Sequence, residues 1–392
     1  MTHCKQFYGL DDSFFNERSC INTAAEIARQ PELWNELSKY LLEKKRDIKS
    51  FMESLGDKEK LRIILTGAGS SAFIGEALSL CAAKSSSIRS EAVHTTDIVS
   101  APDTVLFADT PTLLVSFARS GNSPESTGAV QYARKKINNL FEAAIVCDPE
   151  SKLHNITQEN KKSLILVMPK GSNDKGFAMT SSVTCMLLAG FALLNYTNID
   201  DIAKDICMLC DHTLDKSLYI TEMAQKYSKK YFDRAVYLGS GGNKGLVHEG
   251  SLKMMELTNG EINSCFDSAT GFRHGPKTVL KDNTLSLHVI SNDPFTAQYD
   301  IDLLKELYRE KSKNMVFAIK PDNKDNIEAD DVLDINTSGY GYSADLCYGI
   351  NALLFFQILS MFKSLELGIT TDNPCPGGQV NRVVKGVTVY PL

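Results

Sequence analysis

The chain has 392 residues, of which 43% are hydrophobic and 23% charged, and it carries a net charge of −6. That length holds two domains of ordinary size, or one large duplicated one, with a sizeable core. The acidic balance and the lack of a long basic run argue against nucleic acid as a partner, because phosphate backbones need clustered Lys and Arg.

Residues 1–60 read as mostly helical, with Trp34, Leu37, Tyr40 and Leu41 at helical spacing. Leu61 to Leu65 is a short, mainly apolar run and predicts a buried strand. It leads into Thr66-Gly67-Ala68-Gly69-Ser70-Ser71 and a helical pattern from Ala72 to Ala83. A strand, a small-residue loop and a helix is how α/β proteins place an anion at a helix N-terminus. A second such unit follows: strand Thr112 to Phe117, loop Ala118 to Ser126, and a helix with Ser123 at its N-cap and Pro124 in first position. Further strands are expected at Ala143 to Cys147 and Ser163 to Met168. The latter leads through Gly176 to Ser182 into an apolar helix ending near Tyr196.

The pattern then restarts. Arg234 to Gly242 lies over Arg62 to Ser70 at an offset of 172 residues (239 − 67), and Leu285 to Ile290 and Met315 to Ile319 match the next two strands. Three matched strands at a near-constant offset indicate two copies of one βα domain. The copies differ in their loops. Ser and Thr fill those of the first, whereas the second runs into His248 to Gly260, read as a helix stopped by Gly260. Glu249, Lys253 and Glu256 share one face of that helix. A loop is expected beyond it, ending in Arg273-His274-Gly275-Pro276-Lys277. A carboxylate, a cation and an imidazole of this kind can move a proton and hold developing charge. The tail from Thr370 to Leu392 is rich in Pro and Gly, so its Pro-rich part is neither a central strand nor a helix interior.

The first-copy loops offer Ser70, Ser71, Ser120 and Ser123 with backbone N–H groups at two helix N-termini, which suits a phosphomonoester, and Arg119 is the nearby cation. A phosphate-binding loop of the nucleotide-hydrolysing kind would need a Lys after its last Gly. Gly67-x-Gly69-x-x-Ala72 matches a dinucleotide fingerprint, but the acidic residue due about twenty positions later is not clearly placed; Glu91 is the best candidate. Most of the ten cysteines, Cys147 and Cys185 among them, sit among apolar neighbours and read as core. Cys207 and Cys210 have C-x-x-C spacing near His212, yet no second pair completes a zinc set. No metal and no cofactor is therefore expected. With no signal peptide and no apolar run of eighteen residues, a soluble cytoplasmic protein without membrane contact is expected.

Taken together, ILTGAGSSAFIGEAL, RSGNSPES, GFAMTSS, YLGSGG, DSATGFRHGPK and NRVVKGV resemble the tagatose-6-phosphate ketose/aldose isomerase family of the sugar isomerase (SIS) fold, which includes galactosamine-6-phosphate deaminases. The isomerase domain of glucosamine-6-phosphate synthase looks like a more distant relative. The resemblance implies an α/β chain of two tandem SIS domains, each a flavodoxin-like three-layer parallel sheet, at 61–215 and 216–368. A helical segment at 1–60 precedes them, and a tail at 369–392 lies over the active site. It implies that Glu256 shuttles a proton between C1 and C2, with Lys253 and Glu249 on the same helix. His274 opens the sugar ring, and in the synthase that His comes from the partner subunit. Lys385 corresponds to a C-terminal lysine. Phosphate falls to Ser71, Ser120 and Ser123, with Ser70, Thr180 and Glu249 in the same group of substrate- and phosphate-binding positions. The short N-terminal segment has no room for the synthase's glutaminase, and Cys4 is not a terminal nucleophile, so ammonia release fits better than ammonia use. The expected activity is deamination and isomerisation of an amino-sugar 6-phosphate by a homodimer or larger homo-oligomer. The rivals are a plain aldose–ketose isomerase, a sugar-phosphate sensor and a nicotinamide-dependent enzyme.

Overall fold

The structure, a computed structural model, describes residues 6–85, 89–324, 327–384 and 386–392. The chain forms two compact units, neither of them contiguous. One combines 32–174, 181–206 and 378–392; the other combines 1–31, 175–180 and 207–377.

The first unit is built on a five-stranded parallel sheet of β1 (Arg62–Thr66), β2 (Ser90–Ala92), β3 (Thr112–Ala118), β4 (Leu140–Val146) and β5 (Ser163–Val167), in the order β2-β1-β3-β4-β5. All seven residues of β3 and of β4 are buried, as expected for strands covered on both faces by crossover helices. The charge this buries is paired: Glu142 in β4 takes a bidentate pair from Arg134, at 2.8 and 3.0 Å. The Ser181–Leu194 helix is buried along its whole length. Its Gly190 lies so close to Leu78 and Phe117 that a Cβ there would stand 2.6 Å from the Leu78 Cδ1.

The second unit repeats this order. β6 (Arg234–Gly239), β7 (Asn263–Asp267), β8 (Thr284–Val289), β9 (Met315–Pro321) and β10 (Asp331–Ile335) pair as β7-β6-β8-β9-β10, all parallel. In each sheet the first and third strands lie side by side. That is the switch point at which open α/β sheets place their ligands. The sequence led us to expect a loop from Glu261 to Lys277. Instead this segment contains β7, the Ala269–Phe272 helical turn and a 3-10 turn at Pro276–Val279. β7 is an edge strand with mostly polar residues, so it shows no apolar run.

The N-terminal helices Asp12–Glu17 and Ile21–Ala28 belong to the second unit. The Asp372 carboxylate ties down the start of the second helix, accepting from the N–H groups of Asn22 and Thr23 and from both side chains. Helix Ala344–Glu366 is long and apolar enough by composition to cross a membrane, contrary to the expectation of no such run. Its few polar residues had masked this, and 94% of its apolar window is buried within the fold.

That buried helix fixes the helix Asn243–Leu257 by close approach at two glycines. A Cβ on Gly250 would lie 2.5 Å from the Phe356 ring, and one on Gly349 would lie 2.3 Å from Leu246. Gly250→Ala is therefore expected to cost about 1–3 kcal/mol through overpacking, read as a lower denaturant midpoint at unchanged m-value. An unaltered midpoint would show that the helices are not locked at this crossing.

Candidate active site

In the first unit, β1 ends at Thr66 and the Ser70–Ser85 helix begins four residues later. The turn between them needs two glycines. Gly69 has φ +55°, and a Cβ on Gly67 would stand 2.5 Å from the Ser71 backbone. Ser70 and Ser71 thus lie in the first helical turn, both buried. β3 leads into the neighbouring loop, where Gly121 has φ +57° and packs against Ser151. Ser123 occupies the N-cap and Pro124 the first helical position, as the sequence predicts. The Ser123 and Ser126 hydroxyls are 2.6 Å apart, and Ser120 Oγ accepts from the Asn122 N–H at 3.4 Å. Strand pairing between β1 and β3 makes these two loops neighbours.

Arg119 is buried beside them, and its Nη2 donates to the Arg382 carbonyl at 2.6 Å; Arg382 in turn donates to the Asp174 carbonyl. The C-terminal segment thus reaches the serine loops of its own unit, a contact across 263 positions that no local pattern signals. Ser181 and Ser182 begin a third helix, but Asp174 already fills that N-terminus. Its carboxylate accepts from both backbone N–H groups, at 3.2 and 3.0 Å, and from both hydroxyls. Thr180 is fully buried in the second unit, and its carbonyl accepts from Gln357.

In the second unit the helix opens at Asn243, five residues before the predicted start, and ends at Leu257. Asn259 and Gly260 both adopt left-handed backbone, and the Gly260 N–H returns to the Met255 carbonyl at 2.8 Å, closing the helix as expected. Glu249, Lys253 and Glu256 do come together. Lys253 is fully buried, with its Nζ 3.3 Å from Glu249 Oε1 and 2.5 Å from Glu256 Oε2. Glu249 is buried with it, whereas Glu256 remains 22% exposed in its side chain. Burial alone would lower the Lys253 pKa, but the two carboxylates outweigh it and hold the ammonium above its ordinary value. The result is a charged lysine that keeps one carboxylate inside and orients the other at the surface.

His274 stands exposed on the turn after Phe272, followed by Gly275 at φ +116°. Its neighbours are anchored to the Pro294–Glu310 helix: Arg273 Nε meets Glu306 at 2.9 Å, and Lys277 Nζ meets Glu310 at 2.6 Å. Lys385 lies outside the described residues. The Cys20, Cys147 and Cys210 thiols are pushed up to about 12 by burial, so they are inert at neutral pH.

The SIS domain model matches residues 57–196, which spans β1 to β5, both serine loops and the buried Ser181–Leu194 helix. The chain is 38% identical to the D-galactosamine-6-phosphate deaminase AgaS of Shewanella sp. (strain ANA-3), over 94% of this chain and 92% of that protein. The chain belongs to the AgaS family. A solved structure of tagatose-6-phosphate ketose/aldose isomerase from Escherichia coli superimposes with a TM-score of 0.86 at 34% identity, covering 94% of this chain and 96% of that one. The C-terminal domain of glucosamine-fructose-6-phosphate aminotransferase from Francisella tularensis shares the fold, with a TM-score of 0.73 at 18% identity over 90% of this chain and 98% of that one. Membership of the AgaS family thus extends over both copies of the repeat, including the Glu249–Lys253–Glu256 helix.

Proposed function

We propose that the protein deaminates and isomerises an amino-sugar 6-phosphate, taking D-galactosamine 6-phosphate and water to D-tagatose 6-phosphate and ammonia. The full-length likeness to AgaS deaminases supports the substrate class. The observation that carries the chemistry is the buried Lys253 gripping a partly exposed Glu256. The 6-phosphate is assigned to Ser70, Ser71, Ser120 and Ser123, whose hydroxyls and helix N-termini suit a dianion. His274 assists ring opening. Glu256 removes the C2 proton of the open-chain aldose and returns it at C1. The C2 amine becomes an iminium, which water hydrolyses to the ketone with release of ammonia. Lys253 pairs with Glu256 and orients it toward the sugar, and Lys385 is a further cation for the sugar oxygens.

A panel of galactosamine, glucosamine and ketose 6-phosphates, scored for ammonia and ketose, tests this reading. The expected result is stoichiometric ammonia and tagatose 6-phosphate from the galacto substrate. The name of the Escherichia coli structural relative favours one second reading, an aldose–ketose isomerisation without nitrogen; isomerised sugar without ammonia from any amino sugar would establish it instead. Ser120→Ala is expected to raise KM for the sugar phosphate about tenfold, as befits one lost hydrogen bond to a charged group, with kcat within about threefold. A KM equal to wild type would move the phosphate elsewhere.

A further inference from the structure

We propose that Asp300 is a positioning residue, whose carboxylate fastens through Ser240 the two loops from which the Glu249–Lys253–Glu256 helix and the His274 turn spring. Asp300 lies on the Pro294–Glu310 helix and is buried. Its Oδ1 accepts from Ser240 Oγ at 2.5 Å and its Oδ2 from the Ser291 N–H at 2.9 Å. Ser240 Oγ accepts in turn from the Ala269 N–H at 3.3 Å. These three contacts fall on three different loops. Ser240 follows β6 and stands three residues before the Asn243–Leu257 helix. Ala269 opens the turn that ends in Arg273-His274 beyond β7. Ser291 follows β8. Since β7, β6 and β8 are adjacent strands, one buried carboxylate gathers the C-terminal ends of all three.

The comparison between the two copies explains why a carboxylate stands here. At the offset of 172 residues, Gly242 and Asn243 occupy the places of Ser70 and Ser71. The second copy therefore lacks the serine pair of the first turn. A negative charge accepts from the loops after β6 and β8, the counterparts of the two serine loops after β1 and β3. An incoming phosphate would meet that charge and find the Ser240 hydroxyl and the Ser291 N–H already engaged. On this view the duplicated switch point has exchanged ligand binding for internal bracing. The bracing acts on the elements that carry the acid–base groups, while phosphate binding stays with the first copy.

The inference rests on the acid–base role proposed for Glu256, so its test carries a readout independent of turnover. Asp300→Ala, Asp300→Asn, Ser240→Ala and the Asp300→Ala/Ser240→Ala double variant are made in the full chain. They are compared for ammonia release and for backbone hydrogen exchange by mass spectrometry. Asp300→Ala and Ser240→Ala are each expected to lower kcat tenfold or more with KM within about twofold. The double variant should lose no more than the worse single one, because both remove the same link. Asn keeps an acceptor and gains a donor to the Ser240 oxygen, so Asp300→Asn should recover most of the rate. Peptides covering 240–257 and 268–277 should exchange faster together in Ser240→Ala. Multiplying losses, a folded Ser240→Ala with unchanged kcat, or faster exchange confined to the Pro294–Glu310 helix would overturn the proposal. Should Asp300→Ala fail to fold, Ser240→Ala decides. Should the wild-type protein release no ammonia, the functional reading falls, and the exchange pattern still decides whether Asp300 braces both loops.

Discussion

Glu256→Gln is expected to lower kcat by about 10²–10⁴-fold, the usual worth of a positioned acid–base group, while KM for the sugar phosphate stays within about threefold. Glutamine keeps the shape and can still accept a hydrogen bond from Lys253, but it cannot take a proton from carbon. The serine loops proposed to hold the phosphate carry no part of this side chain, so binding and turnover should separate. The sharpest readout is solvent-deuterium incorporation at C1 of the ketose product, which should fall with kcat. A variant that turns over at near the wild-type rate would remove Glu256 from the mechanism, however tightly it contacts Lys253 at 2.5 Å.

The second large effect concerns stability. Lys253→Met removes a cation that lies 3.3 Å from the buried Glu249 and 2.5 Å from Glu256. Deleting one partner of a buried ion pair strands the other charge, which typically costs about 3–5 kcal/mol, or roughly 6–20 °C in Tm for a unit of this size. The folded-state pKa of Lys253 is raised. Its stabilising contribution is therefore complete below the ordinary lysine value of 10.5 and is lost only as pH climbs through the raised value. Across neutral pH Lys253 should therefore stay charged. In Lys253→Met the two carboxylates lose their counter-ion, so its stability should improve on acidification, as a proton replaces the ammonium. A Tm within 2 °C of wild type would mean that the triad contributes nothing net to stability.

Comparison of the strands shows what local sequence can signal. The strands foreseen were the apolar ones: β1, β3, β4, β5, β6, β8 and β9. Among the strands of the two parallel sheets, the three that gave no signal, β2 (Ser90–Ala92), β7 and β10, carry polar residues and each lie at a sheet edge. An edge strand is paired on one side only and need not be apolar on both faces, so it leaves little period or composition to read. The site divides in the same way. Glu249, Lys253 and Glu256 were legible because helical spacing alone places them on one face. Asp174 and Asp300 were not. Each acts as an acceptor for groups brought to it by the fold: Ser181 and Ser182 in one case, Ser240 and Ser291 in the other.

By itself the sequence determined the duplication, the parallel βα pattern, the two serine loops and the helix that carries Glu249, Lys253 and Glu256 on one face. All of these follow from period, glycine placement and a fixed offset along the chain. Only the tertiary structure decided that Lys253 is fully buried between its carboxylates and that helix Ala344–Glu366 is core. It also decided that the third serine turn is filled by Asp174, and that the C-terminal segment reaches Arg119. The reason is physical. Spacing along one element sets which side chains share a face, but desolvation and the choice of hydrogen-bond partner depend on groups from other segments, which meet only once the sheets have formed.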